Sequence, residues 1–156
     1  MSNTTTSTRV APAADAPSNG YGFVKVSGLI VAIIGAIMFI GGAGTWVLVQ
    51  NSLSDERITV SEDADWFANQ EVNGPFTAYS EAMVIEKHAL EASGDKTYAE
   101  LDREDPVRVT VMNGSFLRAS LFTSVLAFGV SAMAMGLGLV QILLGISMRK
   151  LAGARF

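Results

Sequence analysis

The sequence predicts an all-α membrane protein, a hairpin of two transmembrane helices with a small, mostly helical extracytoplasmic domain between the spans. Residues 26–49 and 119–148 contain no charged side chain, and each run exceeds the roughly 20 apolar residues that cross a bilayer. Between the runs lie 14 of the 15 acidic residues, so the connecting segment is polar. The alternative is two buried core helices, but a soluble chain of 156 residues offers too little protein to surround them.

Residues 1–22 are predicted to be a disordered cytoplasmic tail, and residues 23–50 to be transmembrane helix 1. Ser, Thr, Ala, Pro and Asn dominate the tail, and this composition buries too little apolar surface to offset the entropy cost of ordering. The apolar run is far longer than the roughly 7–15-residue core of a secretion signal. We therefore interpret it as a retained anchor, with Tyr21 and Phe23 at the membrane boundary.

Residues 51–117 are predicted to form the extracytoplasmic domain, with one principal helix. The stretch "NGPF" has the chemistry of a helix start, with Asn73 as a possible N-cap and Pro75 in the first turn. Gly94 is a plausible C-cap. Between these ends, apolar residues recur at near-helical spacing: Tyr79, Met83 and Leu90.

Three smaller elements are expected in the same domain. The stretch "ERITVSED" predicts a short strand around Ile58 and Val60. Thr97 is a possible cap for a second short helix, "YAELDRED", which ends before Pro106. The stretch "VRVTVM" fits either a strand or the start of the next helix, and we prefer the helix. At about 1.5 Å per residue, a 30-residue helix is longer than the roughly 30 Å of hydrocarbon, so its first turns are expected to project outside.

Residues 118–149 are predicted to be transmembrane helix 2, and residues 150–156 a second cytoplasmic tail. Three basic residues on the tail side directly abut the apolar runs: Lys25, Arg149 and Lys150. On the loop side, only Arg118 does so. Because Lys and Arg near the span ends favour the cytoplasmic side, both termini are expected in the cytoplasm.

The clearest pattern in the second span is a stripe of small residues. Steps of four and three residues keep to one helix face, and seven of the eight positions are Gly, Ala or Ser, with Gln141 as the exception. Helices in lipid associate through close packing of small residues, and polar side chains add hydrogen bonds. The alternative is that such residues are simply common in membrane helices. We predict a helix-packing seam, within one chain or between chains, of Gly28, Ala32, Gly35, Gly42, Ser120, Ser124, Ala127, Ser131, Ala134, Gly138, Gln141 and Gly145.

Residue patterns for catalysis, cofactors or metals are missing from the sequence. Neither apolar run, 26–49 or 119–148, carries a charged residue or histidine, which proton relays and ion pathways usually need. No cysteine is present, which excludes disulfides and Cys-ligated metals. The acidic stretch from Glu100 to Asp105 lacks the spacing of a calcium loop and is interpreted as solvated charge. The lone His88 is interpreted as a surface or packing residue. An acidic loop also disfavours nucleic acid as a partner.

Three stretches of the sequence carry a family resemblance: "DERITVSEDADWFA", "GPFTAYSEAMVIEKHALEASGDKTYAELDREDP" and "VMNGSFLRASLFTSVLAFGV". They resemble a family of small two-span membrane proteins of actinobacteria. The resemblance covers most of residues 25–150 and implies a two-span hairpin in a bacterial plasma membrane. Members are often catalogued as aromatic ring-opening dioxygenases. Non-heme iron oxygenases of the facial-triad type need two histidines and a carboxylate, which a chain with one histidine does not supply.

These observations predict a non-enzymatic integral membrane protein, an accessory or assembly component of a larger membrane complex. Its expected partners are the lipid bilayer and other membrane proteins or further copies of itself. The alternative function is a homo-oligomer that senses or binds a ligand through its extracytoplasmic loop. A concave apolar pocket around Phe76, Tyr79 and Met83 would favour that alternative.

Overall fold

Three helices make up the fold of the computed structural model, which describes residues 19–154. They are α1 (Asn19–Asp55), α2 (Pro75–Ser93) and α3 (Val107–Leu151). The all-α prediction is therefore confirmed, and α1 and α3 are both long and apolar enough to cross a membrane. Residues 1–18 of the predicted first tail and residues 155–156 of the second lie outside the described residues.

The long helices α1 and α3 pack side by side in opposite directions. Gly28, near the start of α1, meets Gly145, near the end of α3. At the other end of the pair, Leu53 and Ser120 line one groove, so α1 ends roughly level with residue 120. The first turns of α3 therefore extend beyond α1. The stretch "VRVTVM" belongs to those turns, so it is helical.

The prediction of a short strand around Ile58 and Val60 is wrong. Within residues 19–154 only an isolated antiparallel bridge forms there, between Thr59 and Glu71. The backbone N–H of Val60 donates to the Gln70 carbonyl at 2.8 Å, and the backbone bonds between the two segments join only residues 58–60 to residues 69–72. The pairing is therefore too short to extend into a ladder.

Helix α2 begins one residue later than the sequence suggests. Gly74, not Asn73, occupies the N-cap position, and Pro75 is the first helical residue. The hydroxyl of Thr77 accepts from the N–H groups of both Asn73 and Gly74, at 3.3 and 3.2 Å, so a side chain inside the helix satisfies the donors at its start. The predicted C-cap is confirmed, because Gly94 has φ 65° in the left-handed region that glycine favours.

Small residues hold α2 against the first turns of α3. Ala78 and Ala82 are fully buried, and a Cβ added to Gly114 of α3 would lie 3.3 Å from the Ala89 Cβ. Tyr79 and Met83, whose spacing suggested the helix, are instead 44% and 41% exposed. The contact at Gly114 is made by Ala89 and Ile85, whereas Tyr79 and Met83 stay partly exposed.

The second short helix expected in "YAELDRED" is also wrong, because this stretch forms turns. The Arg108 guanidinium donates to the backbone carbonyls of Tyr98 and Leu101 and stacks 3.9 Å from the centre of the Tyr98 ring. Those carbonyls would otherwise accept the bonds of a continuing helix. Thr97 does bond Glu100, through both its N–H and its hydroxyl at 2.8 Å, but this closes a single turn.

Residues 56–106, here called the loop domain, share one hydrophobic core with the adjoining ends of α1 and α3. Glu81 of α2 is 7% exposed and accepts from the Ser61 N–H at 2.8 Å and from its hydroxyl at 3.2 Å. The Ser80 hydroxyl donates to the Trp66 carbonyl at 2.6 Å. These bonds fasten the segment before α2 onto that helix. The shared core contains Leu53, Val60, Val72, Ala78, Ala82, Leu121 and Phe128.

Candidate functional site

The helix-packing seam between α1 and α3 is the first candidate site, and its centre is a glycine contact. A Cβ added to Gly35 would lie 2.6 Å from the Gly138 carbonyl oxygen, and one added to Gly138 would lie 2.5 Å from that of Gly35. Real Cβ atoms do not approach oxygen this closely, so any larger residue would force the helices apart.

The same close approach recurs seven residues away in both directions. Gly28 meets Gly145 at one end, and Gly42 meets Ser131 at the other, where an added Cβ would lie 2.8 Å from the Ser131 carbonyl oxygen. A period of seven residues keeps one face of each helix toward the other when the two helices wrap around each other in a left-handed supercoil. The structure thus brings these predicted seam residues together within one chain.

The remaining predicted seam residues differ in their burial. Gln141 lies at the interface, with its amide nitrogen 3.5 Å from the Met38 sulfur. Ser120 is exposed, and its neighbour Leu121 takes the buried position. Toward the Ser120 end of the seam, the Phe128 ring lies 4.7 Å from that of Trp46, edge to face. The half-buried members of the seam are Ala32, Ser124, Ala127, Ala134 and Gln141.

A cleft in the loop domain is the second candidate site. It has a volume of about 460 Å³. Tyr79 and Met83 line it, and these are two of the three residues around which a pocket would favour the ligand-binding function. Phe76 is not among its lining residues. Trp66, which sequence reasoning did not single out, borders the cleft and is 70% exposed. The other lining residues are Asp63, Asp65, Ser80, Val84 and Lys87.

Asp63 ties the rim of this cleft to α2. Its carboxylate accepts from the Lys87 ammonium at 3.0 Å and lies 2.9 Å from His88 Nε2. The pKa of Asp63 is lowered to about 2, mainly by the hydrogen bond with Lys87 and then by the one with His88. The same contact raises the pKa of Lys87. Sequence spacing did not signal this cluster, because the partners are far apart in the chain.

A second ion pair joins α2 to α3. Arg118 contacts the Glu86 carboxylate at 2.7 Å, and its guanidinium lies 5.2 Å from the Phe122 ring centre. The basic residue that abuts the second apolar run on the loop side is therefore matched by an acid. Within residues 19–154, no three His, Asp or Glu side chains converge as a metal site would require.

Comparison of the chain with protein families, with curated proteins and with solved structures gives no significant match.

The Asp63 cluster predicts an acid-sensitive loop domain. Because the pKa of Asp63 falls from 3.8 to about 2 on folding, its stabilising contribution is present above pH 3.8 and is lost as the pH falls toward 2. Asp63→Asn should therefore loosen the loop already at pH 7. The measurement is the fluorescence of Trp66 against pH, read in a Trp46→Phe background.

The matched control is Asp65→Asn, which removes the same charge two residues away. It should behave like the parent, with an emission change only as the pH falls from 3.8 toward 2. Identical emission of Asp63→Asn and the parent at pH 7 would contradict the proposed role of this cluster.

Proposed function

We propose that this protein is an integral protein of a bacterial plasma membrane that crosses it twice, with the loop domain outside. The support is the pairing of two long apolar helices through glycine contacts, which is how helices associate in lipid. Their outward faces carry large apolar side chains, including the exposed Ile37, Ile40 and Leu126, as a lipid-facing surface requires. The resemblance to two-span actinobacterial proteins agrees with this proposal.

Charge distribution supports the orientation. Arg118, on the loop side, is paired with Glu86. On the tail side, α3 contains no acidic residue and α1 contains none before Asp55, so the positive charge there stays uncompensated by acids on the two helices. Lys and Arg beside a span favour the cytoplasmic side, and three of them abut the spans on the tail side against Arg118 alone on the loop side.

Single engineered cysteines test this orientation, since the chain contains none of its own. A membrane-impermeant maleimide applied to intact cells should label Asp95→Cys in the loop domain and not Ala152→Cys at the end of α3. Both variants should react after the membrane is permeabilised. Labelling of Ala152→Cys on intact cells would contradict the proposed orientation.

The function that we propose is a non-enzymatic accessory or assembly component of a larger membrane complex. The observation that carries it is a group of exposed large apolar side chains on the loop domain, here called the patch: Trp66, Phe76, Tyr79 and Met83, of which all but Phe76 line the cleft. Trp66 is 70% exposed and Phe76 73% exposed, although the segments that carry them are fastened into the fold. Aromatic and methionine side chains are enriched at protein interfaces, and Trp and Tyr dominate binding hot spots. A rigid surface of this kind suits the docking of another membrane protein.

Purification in mild detergent tests the docking function. A tagged wild-type protein should carry a stoichiometric partner, and the double variant Trp66→Ser, Phe76→Ser should lose most of it. Removal of two central aromatic contacts typically weakens binding by about 2 kcal/mol or more, which is at least thirtyfold. Native sizing and mass spectrometry provide the measurement.

Val109→Ser is the matched control for the patch, because Val109 is exposed at the start of α3 and lies outside the patch. It should keep the partner. A wild-type protein that purifies alone, or a double variant that keeps its partner, would contradict the docking function.

The cleft, which three of the four patch residues line, favours one alternative, a homo-oligomer that binds a small ligand through the loop domain. The cleft combines aromatic and apolar walls with the charged Asp63, Asp65 and Lys87, the mixture found in many ligand sites. A wild-type protein that purifies as a homo-oligomer without other proteins would favour this function over docking.

A further inference from the structure

A crevice lies between the start of α1 and the end of α3, at the opposite end of the molecule from the loop domain. Its volume is about 580 Å³. Its lining combines the apolar Val26, Leu29 and Ile146 with the basic Lys25, Arg149 and Lys150. Apolar wall and positive charge therefore meet in one concave surface.

Glycine contacts shape this crevice. Gly28 lies against Gly145, so the two helices are in close contact beside the crevice. A Cβ added to Gly28 would lie 3.1 Å from Cγ of Arg149, so the stem of Arg149 crosses over α1 where α1 has no side chain. Lys25 lies about one helical turn before Gly28 in α1. The packing of the Arg149 stem on Gly28 therefore holds it on the side of the molecule where Lys25 also lines the crevice.

The positive charge of the crevice is not neutralised by the helices that form it. Within residues 19–154, the Lys87–Asp63 and Arg118–Glu86 ion pairs and the His88–Asp63 contact all lie in or beside the loop domain. The nearest acid along α1 is Asp55, at the far end of that helix. Three cations on an apolar crevice match a ligand that has a negative head and a hydrocarbon chain.

We propose that this crevice binds one anionic phospholipid of the cytoplasmic leaflet. Its phosphate contacts Lys25, Arg149 and Lys150, and an acyl chain lies along Val26, Leu29 and Ile146. This inference rests on the membrane placement proposed above. A zwitterionic lipid offers the same chain but no net negative charge, so it competes poorly for three cations.

Native mass spectrometry of the full-length protein tests the site. The protein is purified in mild detergent that contains equal amounts of phosphatidylglycerol and phosphatidylcholine. We expect one phosphatidylglycerol retained per chain, in preference to phosphatidylcholine. Lys25→Gln and Arg149→Gln should each lower this retention roughly fivefold, the usual contribution of one basic residue near an anionic surface.

Two further variants distinguish a lipid bound in the crevice from a general attraction of anionic lipid to positive charge. Val26→Trp fills the crevice but leaves its charge unchanged, and residue 26 is 58% exposed, so the larger side chain is accommodated without disturbing the seam. It should lower phosphatidylglycerol retention as the basic variants do. Arg103→Gln removes the same charge from an exposed position in the loop domain, and it should retain the lipid like wild type.

Equal retention of the two lipids would overturn the site, as would unchanged retention in Val26→Trp. Release of bound phosphatidylglycerol by millimolar inorganic phosphate would also overturn it, since the ligand would then be free phosphate. Alkaline carbonate extraction separates this failure from that of the proposed function. Protein that resists extraction but shows no lipid preference overturns the lipid site alone, whereas protein released by carbonate overturns the membrane placement and the site with it.

Discussion

The close approach of α1 and α3 at three glycine contacts is the constraint on which the rest of the structure depends. Gly28, Gly35 and Gly42 lie seven residues apart and meet positions of α3 with the same period. Because backbone meets backbone at each contact, the register of the helices cannot slide without a clash. That register makes α3 extend beyond α1 at one end, and at the other it brings the two basic helix ends together.

The loop domain follows from the overhang of α3. An unsupported helical extension would expose both of its faces, and α2 covers one of them, where Ala89 and Ile85 pack against Gly114. The segment before α2 then closes over the end of α1 through Val60 and Val72, which are fully buried. Polar contacts at Glu81 and Asp63 fasten that segment to α2. The exposed aromatic residues are therefore carried by a fixed scaffold rather than by a mobile loop.

Features with a local or periodic cause were predictable from the sequence. The two apolar helices follow from uninterrupted apolar runs, and Gly94 ends α2 because its backbone is left-handed. The glycine faces were predictable because small residues recur with a fixed period. The turns that replace the expected short helix after Thr97 were not predictable, because Arg108 takes carbonyls that local propensity assigns to a helix. The cleft and the Asp63 cluster depend on the loop folding back onto α2, which no local pattern encodes.

Cross-linking in the native membrane tests most directly the claim that the seam forms within one chain. Met38→Cys and Gln141→Cys replace two side chains that touch across the seam, in a chain without cysteine. A short bifunctional thiol reagent should join them within single chains, and it should not join Met38→Cys to Leu137→Cys, whose side chain points outward. Cross-links found only between two chains, or equal cross-linking of both pairs, would contradict the account.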